Sequence, residues 1–310
     1  MDKFLNYQHE LLAEEPTFDK MYEDDYDLLA EFISVLPSLR PFALDQIVDH
    51  CFLYNGEFKR AILKRSIEKC PKLSYLLFET GYFQLSDIIE TLKENNKYHP
   101  CLYFRNFIGN FKEFTSNFDD LDKFDIYLND EMLDSMISYG FPRNSIEYFL
   151  KYDDLESLKV ENNLNNYKIA WSPFEWTADY RLFIDGDINL LGFCGYFGSI
   201  KCFRYLIING YLYHENDLPF ILCGGNHEII NIIAVSPMNL CSNLKFACIF
   251  CHLDLIKYIL EQEFPQDKLL RKEIFKNPLH HVSEFGLLPV ISHLLDCGFD
   301  ANETDEYSKI

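Results

Sequence analysis

The densest set of chemically able side chains is Cys248-Ile249-Phe250-Cys251-His252. Two thiols at that spacing beside an imidazole match half of a structural zinc site, or a redox pair. A structural zinc needs a second half, and no other Cys-x-x-Cys occurs in the 310 residues. His280-His281 and His50-Cys51 set two ligating types side by side, but neighbours on a helix point about 100° apart and chelate poorly. The acidic runs Glu23-Asp24-Asp25 and Asp119-Asp120-Leu121-Asp122 lack the spacing and terminal Glu of a calcium loop. Gly195-Tyr196-Phe197-Gly198 and Gly224-Gly225 follow no predicted strand, so neither reads as a phosphate cradle. Ten cysteines and nine histidines allow a Cys–His nucleophile, yet no nucleophile elbow, kinase loop set or metallohydrolase motif accompanies them. The reading is a non-enzymatic protein with no catalytic residue, no cofactor and no metal.

Composition narrows the partners. The chain carries 28 basic and 49 acidic residues, a net charge of −21 spread along its length. Such an anion gains nothing from counterion release on nucleic acid and is repelled by acidic lipid, so neither is expected as a partner. Aromatic residues at 16% argue against disorder. No apolar run approaches the roughly 18 residues of a membrane span, and Met1 to Glu10 has neither the basic nor the apolar region of a signal peptide. Ten dispersed cysteines are too dilute for a disulfide framework and read as reduced thiols. A cytoplasmic location is expected, with the nucleus left open.

The elements that must hold these residues show a repeat. With Gly198, Gly225, Cys251 and Gly286 as anchors, Leu191, Leu218, Leu244 and Leu279 stand seven residues before each. Asn189, Asn216, Ser242 and Asn277 stand nine before, as helix N-caps. Cys202-Phe203, Ile229-Ile230, Leu255-Ile256 and Val290-Ile291 follow at four and five residues, and Leu206, Ile233, Ile259 and Leu294 at eight. The anchor suits a turn with positive φ, and the later positions make one face of a second helix. Pro289 falls in the first turn of such a helix, where its missing N–H costs nothing. Each unit is a helix hairpin that buries its face only by stacking on its neighbours.

The register continues upstream with decay. It places Asp119 as a cap, Leu121 and Phe124 inside, then Met132-Leu133, Met136-Ile137 and a closing Gly140. Around Asp153 it gives Asn144 as a cap with Ile146, Phe149-Leu150 and Leu158. Leu73, Leu77, Phe78 and Gly81 look like the second helix of another unit, while 21–58 reads as amphipathic helices broken at Pro37 and Pro41. Trp171-Ser172-Pro173-Phe174-Glu175-Trp176, with both tryptophans, reads as a structured connector. The organisation expected is a degenerate helical region over 1–119, divergent units and the connector over 120–187, and a regular array over 188–310.

The stretch from Asn277-Pro278-Leu279-His280 through Gly286 to Cys297-Gly298-Phe299-Asp300 resembles an ankyrin repeat, with Asn for the usual Thr and Val282-Ser283 for the usual small pair. Gly140 to Leu150, Trp171 to Trp176 and Gly195 to Leu206 resemble the large, divergent ankyrin family of some protists. In that family a degenerate N-terminal helical domain of unknown function precedes regular repeats. The resemblance covers 120–310 well and 1–119 loosely. It implies an all-α, ankyrin-type solenoid of helical hairpins and a scaffold for protein–protein interaction. In this family's manner, binding would use the fingers and the exposed side of the first helices. The candidate residues are Tyr211, Tyr213, His214, Phe299, Asp300, Asn302 and Tyr307. The charge favours a partner with a basic patch, and the oligomeric state is left open. The alternative is an adaptor whose N-terminal helices dock a larger complex while the repeats select a client protein.

Anchor spacings of 27, 26 and 35 residues, against a full unit of about 33, predict trimmed fingers after Gly210 and around Ser236-Pro237. A full finger is expected after Gly298, its course running to Ile310 as if a further repeat were about to begin. That ending predicts an apolar flank exposed on 278–297, in a truncated chain or one whose end is covered.

Overall fold

The computed structural model describes residues 8, 26–39, 44–54, 56–95, 97–116, 130–161, 164, 167–172, 174–175, 188–233, 237–262, 278–284 and 287–302. Among these the protein is all-α: helices dominate and there is no strand. No helix among them is long and apolar enough to cross a membrane. The chain forms two compact units, Met1–Arg143 with Trp171–Leu182, and Asn144–Ala170 with Phe183–Ile310. Residues 120–187 are thus shared between the units.

The first unit contains α1 (Tyr26–Leu39), α2 (Leu44–Cys51), α3 (Glu57–Lys69), α4 (Pro71–Glu79), α5 (Leu85–Asn95), α6 (Tyr98–Tyr103), α7 (Phe111–Thr115) and α8 (Asp130–Tyr139). α3 is its hub, packed by α1, α4 and α5. Phe58, Ile62, Leu63, Ser66 and Ile67 form its buried face at helical spacing. The buried Ser66 hydroxyl donates to Ile62 O at 2.6 Å and meets Ser74 Oγ of α4 at 2.6 Å, so a polar pair in the core is satisfied. Aromatic side chains fill the rest. Tyr82 Oη donates to Tyr54 O at 2.8 Å. Phe174 of the connector packs within 5.4 Å of both His99 and Tyr103.

The second unit contains α9 (Ile146–Lys151), α10 (Leu155–Lys159), α11 (Leu190–Phe197), α12 (Ile200–Ile208), α13 (Leu218–Gly224), α14 (His227–Ile233), α15 (Pro237–Ser242), α16 (Leu244–Ile249), α17 (Leu253–Gln262), α18 (Pro278–Glu284) and α19 (Leu288–Asp296). Apart from α15, these are pairs, each first helix packed on the second that follows. The first helices stack in a row, α9 on α11, α11 on α13, α13 on α16 and α16 on α18. The leucines seven residues before the anchors are all buried: Leu191, Leu218, Leu244 and Leu279.

In four of the pairs the turn repeats in backbone geometry. Asp153, Gly198, Gly225 and Cys251 have φ of 52°, 70°, 65° and 56°. In four of the five pairs the residue after the turn donates to the carbonyl five positions back: Asp154 to Phe149 at 2.8 Å, Ser199 to Cys194 at 2.9 Å, His252 to Ala247 at 3.0 Å, Leu287 to Val282 at 3.5 Å; in the other, Gly225 N donates to Ile221 O at 3.2 Å. This closure satisfies carbonyls the helix end would otherwise leave unpaired. Asp153 and Cys251 therefore adopt the left-handed turn without being glycine.

Row packing is closest between α11 and α13. A Cβ on Gly224 would lie 1.9 Å from Gly195 O, and one on Gly195 would lie 2.3 Å from Ile221 Cγ1. Both positions exclude any side chain.

Several local expectations need correction. α1 runs through Pro37 to Leu39, its buried Leu29, Ile33 and Leu36 lying on the side that packs α3. Ser145, not Asn144, caps α9, accepting from Tyr148 N at 3.2 Å. Asn216 sits inside a 3₁₀ turn, Glu215–Asp217, so α13 begins without it as a cap. Ser242 ends α15 rather than starting α16, because Pro237 opens a helix where a trimmed finger was expected. The apolar flank expected on 278–297 is open only in part: Leu279, Val282, Leu287, Val290 and Leu294 are buried, while Leu288 and Ile291 are half-buried and Leu295 is exposed along one face of α19. Asp119, Leu121, Phe124, Pro41, Trp176, Ser236, Asn277, Gly286 and Tyr307 lie outside the described residues.

Candidate protein-interaction site

Cys248 and Cys251 are buried, and burial pushes the Cys248 thiol well above its ordinary range. His252 lies against the preceding pair, its Nε2 2.6 Å from Cys223 O. Its ring occupies the space over Gly225, where a Cβ would come within 2.4 Å of it. Among the described residues, no three His, Cys, Asp or Glu side chains converge as metal ligands.

His252 belongs to a series that sequence reading missed. After three of the four anchors the next residue reaches back to a carbonyl of the previous pair. Ser199 Oγ donates to Leu150 O, Asn226 Nδ2 donates to Gly198 O at 3.3 Å, and His252 pairs with Cys223 O. The side chain of Asp153 ties forward instead, accepting from Lys201 N at 3.2 Å and Cys202 N at 2.9 Å at the start of α12. Their targets are backbone atoms, so no residue-type pattern marks them.

A short loop follows α12. α12 ends at Ile208, and Gly210, with φ 86°, lets Tyr211 N donate to Leu206 O at 3.1 Å. Beyond the loop, His214 N donates to Asp217 Oδ2 at 2.9 Å. Asp217 is buried and accepts from Asn189 Nδ2 at 2.6 Å, while Asn189 Oδ1 caps α11 by accepting from Gly192 N at 2.9 Å. Burial raises the Asp217 carboxyl above its ordinary value, and these two hydrogen bonds pull it back. The loop is therefore pinned at both ends.

Between the pins, side chains alternate. Ile208 and Leu212 are 83% and 74% exposed, and His214 is exposed. Tyr211 and Tyr213 are half-buried between them. The Tyr213 hydroxyl is itself enclosed, and burial with nearby Asp217 and Glu215 pushes it up to about 12. Ile208 at the end of α12 and Leu212 on the loop thus hold two large aliphatic side chains in water. Exposed Glu215 adds negative charge at the edge of the loop.

The other candidates fare differently. Phe299 is buried: Gly298, with φ 86°, lets its N–H close on Leu294 O at 3.1 Å, the geometry that Tyr211 uses after Gly210. It plugs the end of α19 instead of facing solvent. Asp300 and Asn302 are exposed, with Asp300 Oδ1 accepting from Asn302 N at 2.9 Å. The first-helix surface is also unavailable where α11 stands, since all eight of its residues are buried. Tyr196 packs on Phe250 at 5.7 Å, and Lys151 lies 5.5 Å over the Phe197 ring. The signal was present in Leu190-Leu191-Gly192-Phe193-Cys194-Gly195-Tyr196-Phe197, which is apolar all round and so reads as buried on every side. Ile208 and Leu212 carried no such signal, because aliphatic residues in a helical register read as core.

Comparison of the chain with protein-family models, curated proteins and solved structures gives no match.

Proposed function

We propose that this protein is a non-enzymatic, ankyrin-type repeat scaffold that binds another protein through the second unit. The observation that carries this reading is the repeated pair: a first helix, a left-handed turn at Asp153, Gly198, Gly225 or Cys251, and a second helix, each first helix packed on the next. Stacked hairpins of this kind present loops along one edge, and loops carried on a rigid frame are common binding elements. The loop bearing Ile208, Leu212 and His214, with Tyr211 beside them, is the contact surface. Its apolar tip and acidic edge fit a partner segment that is apolar and basic. The separate core of the first unit supports the adaptor reading, in which that unit docks a larger complex.

Cross-linked capture with the full chain from its native cells tests the binding reading. One partner should cross-link at residues 208–214. Its recovery should fall at least about tenfold with Ile208→Asp/Leu212→Asp, a loss typical of buried anchor residues, at an unchanged unfolding temperature. Unchanged recovery, with cross-links only elsewhere, would refute the assignment of this loop.

A further inference from the structure

Nine of the ten cysteines are buried, and Cys297 alone is partly exposed. Burial pushes the thiols of Cys70 and Cys101 up to about 12, and those of Cys51, Cys194, Cys202 and Cys248 also rise. Those groups stay protonated and closed to reagents, since the thiolate is the nucleophile.

Cys297 stands at the C-cap of α19, one turn after His293. Residues four apart on a helix share a face, and here Sγ lies 3.8 Å from His293 Nε2. The imidazole is held below its ordinary value by partial burial, then by Lys257 of the neighbouring α17, with Asp296 opposing. Both influences favour the neutral ring, the form that accepts a proton. We propose that Cys297 and His293 form a thiol–imidazole modification site, at which a small-molecule disulfide adds covalently to Cys297.

The step is thiol–disulfide exchange. The Cys297 S–H gives its proton to His293 Nε2, and the thiolate attacks one sulfur of the disulfide. The S–S bond of the reagent breaks as the new bond to Sγ forms. The departing thiolate takes the proton from His293, returning the ring to its neutral form. No further oxidant is consumed, and a thiol in excess reverses the reaction. An adduct adds bulk at the one partly exposed thiol, so it changes the surface of the last described helix pair.

The test uses the native full chain with an aromatic disulfide reagent that releases a coloured thiolate. One thiol per chain should react rapidly, and the other nine only after denaturation. Cys297→Ser should abolish the rapid phase. His293→Gln should keep its stoichiometry but slow it roughly tenfold or more at pH 7, as loss of a general base does. That deficit should shrink at alkaline pH, where the thiol ionises unaided, with Lys257 and Asp296 the other charges that shape the profile. Rapid reaction of another cysteine, an absent rapid phase, or a wild-type rate in His293→Gln would overturn the assignment.

Discussion

α3 of the first unit is 13 residues long and gathers three other helices around Phe58, Ile62 and Ile67. α16 of the second unit is only six residues long, and lies between α13 on one side and α18 on the other. A six-residue helix has no independent stability in water. It is held because its turn closes on itself at Cys251 and because His252 reaches the Cys223 carbonyl. The first unit is held by bulky side chains around one long amphipathic helix, and the second by one turn and one kind of backbone tie used repeatedly. Each arrangement should fail in its own way.

The largest contrast is between two glycines. Gly224→Ala puts a methyl group 1.9 Å from Gly195 O and 2.8 Å from Tyr196 O, both backbone atoms. Relief requires α11 and α13 to separate, at a cost above about 3 kcal/mol. Gly81→Ala in the first unit meets nothing within 4 Å and suffers only its φ of 81°, about 1 kcal/mol. Urea denaturation of both variants checks this. Equal losses would mean that helix approach in the row is not close.

A smaller effect isolates the tie from the turn. Asp153→Ala loses both hydrogen bonds to the start of α12 and places alanine at a φ of 52°, for about 2 kcal/mol. Asp153→Asn keeps an acceptor and tolerates the left-handed region, so its loss should stay under about 1 kcal/mol. Denaturation midpoints at constant slope should separate the two. If the two variants lose the same, the side-chain tie contributes nothing.

The smallest effect is a pH dependence at Asp217. Its folded carboxyl is raised, so the folded state binds that proton more tightly than the unfolded chain does. Its contribution to stability is therefore greatest below the unfolded value near 3.8 and falls as pH rises through the folded value. Asp217→Asn removes this fall. The wild-type stability relative to the variant should drop with rising pH across that window, and a flat difference would contradict a raised carboxyl.

The same contrast explains what the sequence revealed. The αL turns at Gly198 and Gly225 were legible from glycine, and register alone extended them to Cys251 and Asp153. Apolar spacing survives in the second unit because every pair must bury the same face. Caps were less legible: Asn216 and Ser242 are good cap types, but Asp217 and Pro237 redirect the chain around them. In the first unit no register was visible over 21–58, because its core is set by helix length and aromatic contacts that do not repeat. Of the interaction candidates, register placed Tyr211 and His214 on the loop after α12, where His214 is exposed and Tyr211 half-buried. The exposure of Ile208 and Leu212 was not legible, nor was the burial of Phe299, because an aromatic after a closing glycine fills a helix end as readily as it faces solvent.

The central claim is that the helix pairs of the second unit form one coupled row. Hydrogen exchange on the full-length Leu244→Asp variant tests it most directly, because Leu244 is buried at the start of α16 and an unpaired carboxylate there costs several kcal/mol. The account predicts that amide protection falls in α16 and also in α11, α13 and α18, which share its row but not its sequence neighbourhood. Loss confined to 237–262, with α11, α13 and α18 protected as in the wild type, would contradict it.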